Sequence, residues 1–375
     1  MRLKILLSIA LTACCLSCSS KSDKLIVADI VSFDRFNTEV DKTAHATTLS
    51  AMGVFSIAID RNILVAITSN PASIISLIDL DHENTVLEFC SRGRGPLEYL
   101  SLNTSKQFEE RNGHSCLWTY DRDKEYSQLI DITGSVKEQK LVVVESWEMS
   151  NDYGVSNNYR QNNGILVLPE SERFVKFPVT YQDARDNLFF SPKYVYFSPN
   201  NEAMKELEFY NEEEFSLSSS DFVNAKVLIA DGSIRIKPDR TKAIDAYYHA
   251  DHLNFLDLVK NNGFSMSYSK GLTADELASM PFQEMQKKYV RVYVDAAVTD
   301  SHVFALYSGK PEAEEPTTVS DVHSAVRIFD WDGNPLALVN LDRELISIAY
   351  DQRTKRLYGL DPEENIVYYE LNDVI

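Results

Sequence analysis

Ser56-Ile57-Ala58-Ile59-Asp60-Arg61-Asn62-Ile63-Leu64-Val65-Ala66-Ile67 sets two apolar runs on either side of the polar triplet Asp60-Arg61-Asn62. Short β-branched runs bounded by turn residues read as strand, turn, strand. Residues 74–80 form a third such run, Asp81-His82-Glu83-Asn84 a second polar turn, and residues 85–89 a fourth run. Four strands within about 40 residues, with no room for a crossover helix between them, predict an antiparallel meander.

The unit recurs. Its mark is an apolar run that closes on an acidic or amide residue before a polar turn. The mark appears at Leu77-Ile78-Asp79-Leu80-Asp81, Leu129-Ile130-Asp131-Ile132-Thr133-Gly134, Phe255-Leu256-Asp257-Leu258, Ile328-Phe329-Asp330-Trp331-Asp332-Gly333 and Val367-Tyr368-Tyr369-Glu370-Leu371-Asn372. Leu207-Glu208-Phe209-Tyr210-Asn211 is a weaker copy. Steps of about 58 residues fit propeller blades of roughly 40–50 residues with insertions. Residues 146–163, 264–286 and 311–324 are the expected insertions. The prediction is an all-β six-bladed propeller of four-stranded antiparallel blades, because radial stacking covers both faces of every sheet and protects the edges. A pair of β-sandwiches fits the repeat number less well. The last repeat is short of an outer strand, and residues 25–31 are expected to supply it. Thr273 with Glu276 resembles a capping box and predicts a surface helix to about residue 287.

The N-terminus reads as an address. Met1-Arg2-Leu3-Lys4 is basic, and residues 5–18 are uncharged and too short to span a bilayer. Leu11-Thr12-Ala13-Cys14 has the form of a lipobox. Cys18 is the preferred acceptor, because the signal length is more usual and Ser19-Ser20-Lys21-Ser22-Asp23 suits a polar tether. The expected organisation is a lipoprotein signal over 1–18, a tether over 19–23 and one propeller over 24–375. Attachment to the membrane is then through the N-terminal lipid only, in the bacterial cell envelope. Cys90 and Cys116 are the cysteines that remain, either bridged or as two buried thiols.

Composition removes some functions. Lys and Arg number 37 against 56 Asp and Glu, a net charge of −19. Nucleic-acid binding needs clustered cations, so a nucleic-acid partner is not expected. Gly93-Arg94-Gly95-Pro96 lacks the Lys-Ser/Thr of a phosphate loop. No nucleophile elbow or other catalytic motif occurs, and no cofactor or metal is expected. In the stretch Asp245-Ala246-Tyr247-Tyr248-His249-Ala250-Asp251-His252, a helix would align Asp245, His249 and His252 for a metal. A strand followed by a turn is the preferred reading. Asp330-Trp331-Asp332-Gly333-Asn334 lacks the remaining ligands of a calcium loop and reads as a hairpin turn.

Gly93-Arg94-Gly95-Pro96-Leu97-Glu98-Tyr99 resembles the Gly-x-Gly-Pro-x-Glu-aromatic signature of TolB-like six-bladed β-propeller lipoproteins of Bacteroidetes. Ala305-Leu306-Tyr307-Ser308-Gly309-Lys310, residues 328–335 and Leu357-Tyr358-Gly359-Leu360 resemble late-blade elements of the same group. The resemblance implies fold and location and carries no activity. On a propeller, the 93–99 loop crosses from an outer strand to the next inner strand, on the face where inner strands begin. Arg92 and Arg94, with Tyr99, are therefore the candidate ligand-binding residues, suited to an anionic group. The other reading has Arg94 bracing its own loop through a local carboxylate. The expected role is a monomeric binding or scaffold module for an envelope protein or glycan. The competing role is an exported hydrolase or lyase, calcium-dependent as in lactonase-type propellers, which would require acidic side chains converging on the central channel.

Overall fold

Middle strands of a stacked sheet are covered on both faces, so their sequences run apolar without alternation. The computed structural model describes residues 29–121, 123–124, 126–148, 165–182, 188–200, 202–207, 209, 231–268, 290–311 and 324–375. Three N-terminal strands come first: β1 (Asp29–Phe33), β2 (Thr38–Lys42) and β3 (His45–Ala46). Blade 1 is β4 (Val54–Asp60), β5 (Ile63–Thr68), β6 (Ile75–Asp79) and β7 (Asn84–Phe89). In blade 2 the inner edge is split into β8 (Leu102–Asn103) and β9 (Phe108–Arg111), both paired to β10 (His114–Asp121). Blade 2 continues with β11 (Tyr126–Asp131), a short helix α1 (Ile132–Glu138) and β12 (Val143–Glu148).

Blade 3 is β13 (Ile165–Val167), β14 (Arg173–Gln182), β15 (Leu188–Phe197) and β16 (Ala203–Leu207). Blade 4 is β17 (Gly232–Ile236), β18 (Lys242–Tyr247), β19 (Leu253–Asp257) and β20 (Asn262–Tyr268). Blade 5 is β21 (Val290–Val298), β22 (His302–Pro311), β23 (Ala325–Asp330) and β24 (Pro335–Leu341). Blade 6 is β25 (Ser347–Asp351), β26 (Arg356–Leu360) and β27 (Ile366–Glu370), finished by β3. The chain is a six-bladed β-propeller.

The recurring acidic mark has a structural cause. At the end of a third strand the carboxylate turns back and accepts amides of the following turn. Asp79 takes Asp81 N at 2.8 Å, Asp257 takes Lys260 N at 2.8 Å, and Asp330 takes Asp332 N and Asn334 N at 2.9 Å. Asp131 does the same for Gly134 N at 2.6 Å, but there the turn continues into α1, which the pattern did not predict. Gly333 adopts a φ of +83°, the left-handed position of the expected hairpin turn. The weak mark at 207–211 falls at the end of the fourth strand, β16, rather than of the third. Residues 264–268, assigned to an insertion from sequence, are the second half of β20. The expected helix over 273–287 lies outside the described residues.

The N-terminal expectation is corrected. Residues 29–31 do not complete the last blade. β1 adds in parallel to the outer strand of blade 4, with Asp29 opposite Phe264 and Phe33 opposite Tyr268. β2 adds in parallel to blade 5, with Thr38 opposite Ala337 and Lys42 opposite Leu341. Blade 6 does lack its own outer strand, and β3 supplies it through His45 and Ala46 opposite Tyr368 and Val367. Thr47 Oγ1 donates to Ile366 O at 2.5 Å, and Lys42 Nζ pairs with Asp373 at 2.5 Å. The displacement has an apolar reason. Phe33 and Phe36 pack edge-on against Phe329, between blades 4 and 5.

Blades pack through mixed apolar seams. Ile57, Leu64 and Ile78 of blade 1 meet Ala349, Tyr358 and Leu360 of blade 6. Each such fully buried aliphatic side chain contributes about 1.5–3 kcal/mol. Two ionic clamps reinforce the seams of blade 4. Lys176 Nζ of blade 3 lies 2.5 Å from Asp245. Arg327 of blade 5 donates to Asp251 at 2.8 Å and covers the Tyr307 ring at 3.8 Å.

All six blades meet at the axis. Asp295 on β21 accepts from Lys106 Nζ, from Arg235 Nη2 at 2.6 Å, from Ser347 Oγ at 2.7 Å and from Ile348 N at 2.9 Å. Ser347 Oγ in turn accepts from Ile57 N of blade 1 at 3.1 Å. Gln107 exchanges two hydrogen bonds with the Val167 backbone, 2.6 and 2.8 Å, which brings in blade 3. Burial pushes the Asp295 carboxyl up, but the Lys106 and Arg235 charges win and hold it below its ordinary value. Burial likewise drives Lys106 down to about 8, against the pull of Asp295.

Two outcomes are expected from this architecture. Asp295→Asn keeps the shape but leaves two buried cations uncompensated, and should cost about 3–5 kcal/mol in urea unfolding; a loss below about 1 kcal/mol would show that the axis does not hold the ring. Deleting residues 29–42 should accelerate amide exchange in β20 and β24, the strands it covers, and leave Val367 and Tyr368 protected. Opening of blade 6 instead would contradict the pairing described here.

Candidate functional site

Inner strands of a propeller end around the axis, and the turns that follow them form one rim. Here the turn after β4, residues 106–110 at the start of β9, the turn after β17 and the turn after β25 enclose a bowl of about 480 Å³. Lys106 lies at its base, in the left-handed region at φ 54°, with its amide donating to Thr104 Oγ1 at 2.9 Å. Apolar wall comes from Ile59, Phe108, Val298 and Tyr350.

The charged groups of the rim are paired with one another. Arg61 donates to Glu110 at 2.8 Å and to Gly113 O at 2.9 Å. Arg240, from blade 4, reaches Glu109 of blade 2, which also accepts from Arg111 and from Trp118 Nε1. Burial alone would raise the Glu109 carboxyl; the bonds from Arg111 and Trp118 and the Arg240 charge bring it below its usual value. Arg353 binds Asp351 at 3.1 Å, Asp81 at 3.2 Å and Arg61 O at 3.0 Å. A belt of arginines thus links blades 6, 1, 2 and 4 around the opening.

The residues singled out from sequence sit elsewhere, on the crossover between β7 and β8, where the inner strands begin. Arg92 and Arg94 are exposed, and neither has an ion pair among the described residues. Tyr99 is 1% exposed, and its hydroxyl donates to Gln128 of blade 2. It supports the loop from beneath. The loop brace is Glu98 rather than Arg94. The Glu98 carboxylate folds back under the loop and accepts Gly95 N at 2.7 Å. A Cβ at residue 93 would stand 2.1 Å from a Glu98 oxygen, and one at residue 95 would stand 2.9 Å away. The Gly-x-Gly-Pro-x-Glu pattern is thus a packing solution. Lys124 closes it by donating to Gly95 O at 2.7 Å and Glu98 O at 2.8 Å.

Three segments converge at this corner. Ser69 N donates to Gly53 O, and Arg92 N to Pro71 O, both at 2.8 Å; Ile74 N donates to Cys90 O at 2.7 Å. Leu97, in the same loop as Arg94, is 53% exposed, and Met52 and Phe55, which flank Gly53 at the start of β4, are 79% and 46% exposed.

Residues 245–252 form the end of β18 and a turn, as the strand reading expects. Asp245 is engaged by Lys176 and Tyr194, and His252 Nδ1 contacts Ser265 Oγ at 2.9 Å. Burial and the Arg291 charge bring the His249 imidazole down to about 3. Cys90 and Cys116 are free, buried thiols, not a bridge. Burial raises both, Cys116 to about 11. Cys14 and Cys18 lie outside the described residues. The bowl escaped the sequence reading because its turns were legible only as turns. Asp60-Arg61-Asn62 and Asp351-Gln352-Arg353 carry no spacing that announces their meeting.

No protein-family model and no curated protein matches the sequence. Among solved structures, a DUF4221 family member from Bacteroides vulgatus is 10% identical, with 92% of this chain and 96% of that chain covered and a TM-score of 0.52. A Bacteroides fragilis protein described as exported is also 10% identical, covering 88% and 99%, with a TM-score of 0.49. At such identity the likeness to the first is one of fold.

Proposed function

We propose that the chain is an exported propeller, lipid-anchored in the bacterial envelope through Cys18 or Cys14, that docks a partner protein on the corner of Arg92 and Arg94. The carrying observation is two exposed arginines without ion pairs among the described residues, on the loop that also exposes Leu97 and on the blade face where Met52 and Phe55 are exposed at the start of β4, whereas Arg61, Arg240, Arg327 and Arg353 are engaged. Methionine, aromatic and arginine side chains are the types enriched in interface cores. Charge complementarity selects an acidic segment carrying an apolar residue. The basic start, short apolar run and small residues before cysteine support the anchor. The TolB-like lipoprotein resemblance of residues 93–99 points the same way. A calcium-dependent hydrolase is less well supported, since the axial carboxylate Asp295 is already neutralised by Lys106 and Arg235.

A photo-crosslinker at position 97 in living cells should capture a partner peptide of net negative charge. Arg92→Glu with Arg94→Glu should weaken capture about tenfold or more, because charged hydrogen bonds contribute about 1.5–3 kcal/mol each. Capture unaffected by the reversal would remove the arginines from the interface. A lowered melting temperature without any change in capture would make them structural. For the anchor, Cys14→Ser with Cys18→Ser should move the protein to the soluble fraction, and continued sedimentation with membranes would exclude a lipid at either cysteine.

A further inference from the structure

We infer that the axial bowl is a binding site for a neutral saccharide, independent of the protein-docking corner. Its volume, about 480 Å³, lies within the roughly 300–1,000 Å³ of small-ligand pockets. Its base is closed by Lys106, whose ammonium is already shared among Asp295, Ser347 Oγ at 3.0 Å and Ile348 O at 2.9 Å. A ligand would therefore rest in the bowl and not pass along the axis at this level.

The electrostatics choose the ligand class. Arg61–Glu110, Arg240–Glu109, Arg353–Asp351 and Lys237–Asp239 are internal pairs and Asp60 lies 3.9 Å from Arg61, so the rim offers neither sign in excess. An anionic ligand would have to take an arginine from its carboxylate, and a cationic ligand the reverse. A neutral polyol does not face that cost. A guanidinium has five N–H donors and a carboxylate about four lone-pair sites, so a paired arginine and acid keep bonding capacity for adjacent hydroxyls. Arg61 and Arg353 are each tied to more than one partner, which limits the ordering required of them on binding. Tyr350 and Phe108 add half-buried aromatic surface for the apolar face of a sugar ring. A peptide is less suited, because turns line the opening, and turns present no continuous strand edge for backbone pairing. The contrast with Arg92 and Arg94, which have no ion pair among the described residues, is the reason for assigning different ligand chemistries to the two places.

The test uses the mature protein with maltotriose, cellotriose and mannotriose as neutral probes, and trigalacturonate and triglycine as controls, read by calorimetry. At least one neutral trisaccharide should bind with a Kd below about 1 mM. That affinity should stay within about twofold from roughly 50 to 500 mM salt, since no net charge is exchanged. Gln352 lines the bowl and is exposed, so Gln352→Trp should fill the space without breaking an ion pair. It should weaken binding at least tenfold with an unchanged melting temperature. The Arg92→Glu, Arg94→Glu protein should bind the sugar normally, which separates this site from the docking corner. The inference is overturned if none of the three trisaccharides binds, if only trigalacturonate or triglycine does, or if Gln352→Trp binds as well as the parent.

Discussion

The Asp295 carboxylate is the point on which the ring turns. It is buried on β21, yet its partners come from blades 2, 4 and 6, and Ser347 extends the contact to blade 1. Burying one anion with two cations is costly in an apolar medium, and it survives only because every oxygen is engaged several times over. The expected return is registry more than net stability. Strand meanders with interchangeable apolar faces could stack with a blade slipped, and a single carboxylate that needs Lys106, Arg235 and Ser347 together penalises every slipped arrangement.

Closure dictates much of the remainder. A ring needs its last sheet completed, and the N-terminal segment does this with only two residues, His45 and Ala46. The preceding strands do a different job, adding a fifth strand to blades 4 and 5. Parallel addition to an exposed outer strand shields its unpaired backbone groups. The same segment inserts Phe33 and Phe36 between the two blades, so edge protection and seam packing come from one stretch of chain.

The two ends of the propeller differ in how their arginines are used. On the rim of the bowl Arg61, Arg240 and Arg353 each span a gap between blades and are paired with carboxylates there. At the 90–99 crossover the bracing falls to Glu98 and Lys124, and Arg92 and Arg94 are left without ion pairs among the described residues. The same residue type is thus paired with carboxylates at one end and left without an ion pair among the described residues at the other, the difference on which our two proposals rest.

The middle strands of residues 54–89, β5 and β6, were legible because burial on both faces writes continuous apolar runs, and the turns because Asp79, Asp257 and Asp330 cap them locally. Those are nearest-neighbour effects, so the blades, their number and the hairpin at Gly333 follow from sequence alone. Where β1 goes is not a local matter. Residues 29–33 would suit any outer edge, and the choice of blade 4 rests on Phe33 meeting Phe329, nearly 300 residues away. That Tyr99 is buried and bonded to Gln128 of blade 2 is likewise not a property of its chain position. The axial cluster and the bowl draw on residues from 57 to 353 that share no motif, since ring closure brings together positions whose spacing in the chain is set by insertions. Local chemistry therefore determined the strands and turns, and only the tertiary ring decided which charges are paired, which are left open and where a ligand has room.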